Sequence, residues 1–227
     1  MFRPSLVAFA FFFVISSAQS AVPLPDLSSR VIISVRDQKL MLMQSGRKMA
    51  TYPVSTSKFG LGDSLGRMTT PLGFMQVVQK IGDRAPVGAV FHNRRWTGEV
   101  LRPNAPGRDP IVTRIIWLRG LESENLHAFG RCIYIHGTTE EKLIGRPASY
   151  GCVRMRSRDV AALYEQVPLG AIVQVVPDRL PAPKTALSDT PPTLTPLPND
   201  KMIFVRGDKS PAARSHKTLV ASGGRGA

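Results

Sequence analysis

Short apolar runs constrain this chain more than any other feature. Residues 31–35, 40–43, 49–55, 74–78, 111–118 and 171–176 each hold too few apolar positions for a helix of ordinary length and read as strands. The Asp37-Gln38 and Ser45-Gly46 breaks predict hairpins and therefore antiparallel sheet. A loop rich in glycine and serine, 56–69, ends in Thr70-Pro71-Leu72-Gly73. There Pro71 sets the entry angle and Gly73 permits a tight approach, which suits a plain turn or the border of a cleft. Residues 82–109 read as an irregular insertion or a long hairpin tip, basic through Arg84, Arg94, Arg95, Arg102 and Arg108. That stretch is either a solvated loop or a flap that packs Trp96 on a ligand. Residues 131–135 read as a further strand, which delivers His136. Helical spacing occurs once, at Val160, Leu163, Tyr164 and Val167, with Ser157 as its predicted cap and Pro168-Leu169-Gly170 as its stop.

The two ends differ from this body. Arg3, an unbroken apolar stretch over 6–14 and small residues around Ala18 and Ser20 have the layout of a secretory signal peptide over 1–20, with a mature chain beginning near Ala21. The apolar stretch is well short of the roughly 20 residues a spanning helix needs, and no other segment is a candidate. Residues 178–227 are rich in Pro, Thr, Ser, Ala and basic residues and read as a disordered basic tail. The formal charge of +14 favours anionic partners: nucleic acid, anionic lipid or an anionic wall polymer.

Chemistry concentrates in 133–155. His136 and Cys152 stand sixteen positions apart, one followed and the other preceded by glycine. A thiol attacks as thiolate, with an ordinary pKa of about 8.5, so a catalytic cysteine needs a basic or cationic neighbour. Gly137 leaves its carbonyl open to accept the second imidazole N–H. Small residues in Ser149-Tyr150-Gly151-Cys152 let backbone N–H groups approach a developing oxyanion. Arg154 shares the face of Cys152 if the segment is extended, where it can hold a carboxylate or lower the thiol pKa. Strand alternation would place Cys132, Tyr134 and His136 on one face, with Cys132 roughly 13 Å from His136. A Cys152 that touches His136 would then lie beyond the roughly 7 Å Cα separation a disulfide to Cys132 allows, leaving one reactive and one structural thiol.

The run Tyr134-Ile135-His136-Gly137-Thr138 through Ser149-x-Gly151-Cys152-x-Arg154-Met155 resembles the signature of the L,D-transpeptidase catalytic domain, the YkuD family. Tyr52-Pro53-Val54-Ser55-Thr56, the Thr70-Pro71-Leu72-Gly73 turn and the ending from Val167 to Val173 extend the likeness over about 30–177. The resemblance implies a mostly β, sandwich-like domain with one or two short helices, acting on peptidoglycan stem peptides without a cofactor or metal. It implies Cys152 as nucleophile, His136 as base, Gly137 as the carbonyl that sets the histidine tautomer, and Ser149, Tyr150, Gly151 and Arg154 as substrate-binding residues. It further implies an exported enzyme of the periplasm or cell wall, whose acyl-enzyme passes to an amine on a second stem, to a protein or to water. Close relatives often have histidine where this chain has Tyr150; the phenol either shapes the pocket harmlessly or alters the choice of acceptor.

Rival classes are a non-catalytic basic protein that binds wall polymers, a sortase-like transpeptidase, a zinc site of Cys132, Cys152, His127 and His136, and a nucleic-acid binder. The zinc set lacks paired ligand spacing. Nucleic-acid binding has only bulk charge in its favour, and an exported chain would seldom meet that target.

Overall fold

The computed structural model describes residues 22–182. The expected signal peptide, and the tail beyond residue 182, lie outside the described residues. Within them the chain forms β1 (Asp26–Ser34), β2 (Lys39–Gln44), β3 (Arg47–Ser55), β4 (Gly73–Ile81), β5 (Ala89–His92), β6 (Arg95–Val100), β7 (Ile111–Gly120), β8 (Tyr134–Thr138), β9 (Val153–Met155), α1 (Ser157–Gln166) and β10 (Ala171–Val176). Single 3-10 turns occur at Ser123–Asn125 and Glu141–Leu143. The predicted mostly-β class, with one helix, is what the chain adopts.

All strands belong to one sheet in the order β4-β10-β1-β2-β3-β9-β8-β7-β5-β6. Because β4 also pairs antiparallel with β7, eight of them close into a ring, from which the β5–β6 hairpin branches off β7. Closure removes most exposed edges and gives the alternating strands an inside. Val31, Ile33, Leu42, Val77, Ile116 and Val173 are all fully buried in that interior cluster. Val160, Leu163, Tyr164 and Val167 of α1 join the same cluster, as their helical spacing predicts. On the other face of β1 and β2, Ile32, Met41 and Met43 are covered by Val176 and Leu180, so these strands are buried on both sides.

Three local readings change. Ser157 is the first helical residue rather than the cap; its N–H donates to Glu141 Oε1 at 2.8 Å, so the acceptor comes from the 3-10 turn at 141–143 and not from local sequence. The stretch 82–109 contains a true hairpin, turned by Asn93 and Arg94, both at positive φ as a two-residue turn demands. The strand expected over 131–135 begins only at Tyr134. Arg131 and Cys132 form a turn, with Cys132 in the left-handed region at φ +58°. Strand alternation therefore does not govern Cys132 and sets no separation between it and His136.

The 70–73 turn is clasped by Asn125, which is fully buried. Its Nδ2 donates to the carbonyls of Leu72 (2.8 Å) and Phe74 (3.0 Å), while Oδ1 accepts the Glu122 N–H at 3.0 Å. Replacing Asn125 with alanine removes its bonds to the half-buried Leu72 carbonyl and Glu122 N–H, although Phe74 keeps the Leu121 N–H, and is expected to cost about 1–3 kcal/mol in urea denaturation. A loss under ~0.5 kcal/mol would show that the turn does not depend on this side chain.

Candidate active site

Strand pairing brings the two candidate residues to one face of the sheet. β8 and β9 are parallel, with Ile135 opposite Val153, His136 opposite Arg154 and Gly137 opposite Met155. Ile135, Val153 and Met155 point into the interior core. Alternation then puts His136 and Arg154 on the outer face, with Tyr134 and Cys152 one step back on the same face. Tyr134 belongs to the outer apolar cluster with Trp117 and Phe91, and Cys132 and Cys152 pack against it.

The turn that carries Cys152 is held from beneath. Gly151 has φ +125°, a conformation open to glycine, and a Cβ there would lie 3.3 Å from the Thr69 carbonyl oxygen. Ser149 is fully buried; its hydroxyl donates to the Cys152 carbonyl at 2.5 Å and accepts the Gly151 N–H at 3.2 Å. Thr70 Oγ1 donates to the Gly151 carbonyl at 3.0 Å and accepts the Ser57 N–H at 2.9 Å. Ser149, expected to line a substrate, is thus placed to position the turn, and the Gly151 N–H, offered as an oxyanion donor, is already engaged. The Cys152 thiol donates to the Cys132 carbonyl at 3.3 Å and accepts the Tyr134 N–H at 3.4 Å. Both cysteines are free thiols, and they are neighbours. Among the described residues no hydrogen bond joins the thiol to the His136 ring.

His136 is buried, and its Nδ1 lies 2.7 Å from the Gly137 carbonyl. A carbonyl only accepts, so Nδ1 carries the proton and Nε2 keeps its lone pair. Gly137 has no room for a side chain: a Cβ would lie 2.6 Å from the Val112 carbonyl oxygen and 3.2 Å from Thr113 Cβ. Opposite it, β7 is bulged between Val112 and Ile115, and Thr113 adopts φ +72°, an outlier for a β-branched residue. The Gly88 N–H donates to Thr113 Oγ1 at 2.9 Å and helps hold this conformation.

Burial controls both titrations. It lowers the His136 pKa to about 4, with Arg154 pushing the same way and the Gly137 bond and Asp109 opposing. Burial also raises the Cys152 pKa to about 11, against the Tyr134 N–H, Arg154 and Arg131. At neutral pH the pair is therefore a thiol and a neutral imidazole, not a preformed thiolate and imidazolium.

Sequence reasoning missed Asp109, which sits in an irregular basic stretch and carries no motif. Its Oδ2 lies 2.7 Å from Arg154 Nη2, and Thr138 Oγ1 donates to Oδ1. Arg154, buried beneath the Tyr150 ring, is thus already paired with a carboxylate. Arg94 was read only as part of a basic loop. The hairpin brings its Nη1 to 3.5 Å from Tyr134 Oη and 3.9 Å from Cys132 Sγ, with the guanidinium over the Trp117 ring. Trp96 itself is half-exposed, its Nε1 donating to the Glu99 carbonyl at 3.3 Å. His127 is held instead by Asp63, which accepts its backbone N–H at 2.6 Å. Among the described residues no group of three or more His, Cys, Asp or Glu side chains converges as a metal site requires.

With this geometry in view, the family model of the L,D-transpeptidase catalytic domain, YkuD, matches residues 28–175. The chain belongs to that family. It is 43% identical over 165 residues to the "Probable L,D-transpeptidase YbiS" of Escherichia coli strain K12, a match covering 70% of this chain and 48% of that protein. It is 29% identical over 160 residues to the "Probable L,D-transpeptidase ErfK/SrfK" of Salmonella typhimurium, covering 67% of this chain and 46% of the relative. The chain thus spans about half the length of these relatives. Among solved structures, an L,D-transpeptidase from Xylanimonas cellulosilytica aligns at TM-score 0.43 and 20% identity, covering 68% of this chain and 63% of that one.

The buried imidazole ties stability to pH. Its pKa is about 4 in the folded chain against an ordinary 6.5. Between these values the unfolded chain binds a proton that the native ring refuses, so stability is full above pH 6.5 and falls as pH drops towards 4. Urea midpoints at pH 7 and pH 4.5 should differ by an amount that His136→Gln reduces, His136 alone accounting for about 2–3 kcal/mol. Equal pH dependence in the two proteins would contradict a buried neutral ring.

Proposed function

We propose that this chain is a peptidoglycan L,D-transpeptidase working through Cys152. The observation that carries the reading is the parallel β8–β9 register, which sets His136, Cys152 and Arg154 on one outer face, combined with membership of the family. The substrate is a tetrapeptide stem. On its binding, Cys152 Sγ turns from the Cys132 carbonyl and attacks the carbonyl carbon of the third residue, a diamino acid, while its proton passes to His136 Nε2. Because thiol and imidazole are neutral at rest, proton transfer accompanies attack instead of preceding it. The tetrahedral intermediate collapses, the C–N bond breaks, and His136 returns the proton to the departing amine of D-alanine. The thioester is then opened by an amine of a second stem or of a protein, or by water, which regenerates the thiol.

The surrounding groups have separable roles in this reading. The Gly137 carbonyl keeps Nδ1 protonated and so leaves Nε2 basic. Ser149 and Thr70 fix the turn that presents the thiol. Gly151 supplies the conformation of that turn, Tyr150 forms the exposed wall above it, and Arg154, neutralised by Asp109, supports the wall from below. The leader-like first 20 residues and the +14 charge support export to the periplasm or cell wall and contact with anionic wall polymers there. No helix among the described residues is long and apolar enough to cross a membrane.

Incubating the purified protein with peptidoglycan bearing tetrapeptide stems should release D-alanine and yield new acyl-transfer products, read by mass spectrometry of the muropeptides. Cys152→Ala should abolish release, by at least about a thousandfold, with an unchanged circular dichroism spectrum. Release that survives in that variant would rule out the thiol mechanism. A wild-type protein that binds sacculi but releases nothing would instead mark a wall-binding protein.

A further inference from the structure

Arg154, the signature's cation, is buried and its charge is met by Asp109 at 2.7 Å. A second cation stands at the same wall. Lys58 is exposed, and its Nζ lies 4.5 Å from the centroid of the Tyr150 ring, 5.1 Å from that of Phe59 and 3.3 Å from Tyr150 Oη. The two rings lie 5.6 Å apart and are each about half-exposed, Tyr150 at 55% and Phe59 at 52%. Among the described residues no carboxylate lies within ion-pair distance of Lys58. The ammonium is therefore held by ring faces and a phenol, which fix its position without cancelling its charge.

The lysine is built into the frame that holds the nucleophile. Its backbone N–H donates to the Ser149 carbonyl at 3.1 Å, and the adjoining Ser57 forms a bridge to Ser149. The Ser57 N–H also donates to Thr70 Oγ1, and Thr70 in turn bonds the Gly151 carbonyl. Lys58 and Cys152 are thus both tied to Ser149, the one through its carbonyl and the other through its hydroxyl. A lysine so placed has already lost part of the rotamer freedom that binding would otherwise remove.

From this we infer that Lys58, clamped by Tyr150 and Phe59, is the residue that binds a carboxylate of the stem peptide, the role that Arg154 cannot fill while paired with Asp109. The inference rests on the proposed function for its substrate class. One stem carboxylate lies on the leaving D-alanine; a second lies on the other side of the scissile bond when the stem residue is a diamino dicarboxylic acid. Tyr150 thereby gains a definite role, because a neutral ring holds the lysine, whereas a histidine that became protonated would repel it.

A binding measurement tests this without depending on turnover. In the Cys152→Ala background, a tetrapeptide ending in a diamino dicarboxylic acid and D-alanine is titrated by calorimetry against Lys58, Lys58→Gln and Tyr150→Leu proteins. Lys58→Gln is expected to weaken binding about tenfold, and Tyr150→Leu by a smaller factor. Raising salt should weaken binding to the lysine protein and narrow its difference from the glutamine variant. Amidating the D-alanine carboxylate in one peptide, and the side-chain carboxylate in another, identifies the partner as the group whose amidation abolishes the Lys58 effect. Equal affinity of Lys58 and Lys58→Gln proteins, or an effect that survives both amidations, would overturn the inference. Lysine-dependent binding without D-alanine release by the wild type would leave this inference standing while rejecting the proposed reaction; release with lysine-independent binding would do the reverse.

Discussion

The parallel pairing of β8 with β9 is the interaction on which the candidate site depends, because it alone brings His136 and Cys152 to a common face. Parallel neighbours cannot be joined by a tight turn; they need a crossover of about a dozen residues or more. Residues 139–152 are that crossover, and they carry the 3-10 turn at 141–143 and the turn of Cys152 at its end. The sixteen-residue spacing of histidine and cysteine is thus a consequence of sheet topology. The crossover is anchored along its length: Gly145 N–H to the Val54 carbonyl, Ala148 and Ser149 N–H to the Thr56 carbonyl, and Glu141 to the first turn of α1.

Strain is stored on the other flank of β8, in its antiparallel pairing with β7. Gly137 follows His136 directly and must let the Val112 carbonyl approach, while the facing strand bulges and holds Thr113 at positive φ. A bulge redirects the strand that carries it, and here it does so beside the one imidazole of the site. The interior core on the far side of β8 and β9 makes the arrangement rigid, since Ile135, Val153 and Met155 are locked in it.

Charge follows the same division between depth and surface. The deep cation, Arg154, is compensated by Asp109, and the titrating pair is kept neutral by burial. Arg131, near the cysteines, is likewise matched, with Asp63 Oδ1 at 2.5 Å from its Nη1. Lys58, at the solvent edge, lies against two aromatic rings and has no carboxylate partner among the described residues. Buried charge without a partner is costly, whereas an exposed ammonium on a ring is cheap to maintain and remains available to a ligand.

Much of this was legible in the residues. Strand runs with turn signals between them set a mostly β fold, one helical period set α1, and the His136–Gly137 and Gly151–Cys152 dipeptides marked the candidate site, since these are local patterns that depend on backbone geometry alone. Tertiary structure decided the rest. Closure of the sheet through β4 and β7, the Glu141 acceptor for α1, the partnership of Asp109 with Arg154 and the placing of Lys58 against Tyr150 join residues from 16 to 92 positions apart. Cys132 shows the difference most plainly. Its sequence neighbours read as strand, yet a left-handed turn puts its carbonyl against the Cys152 thiol and packs Cys132 on the cluster that contains Tyr134. Contacts of that kind depend on which surfaces the folded sheet brings together, and no short stretch of sequence encodes them.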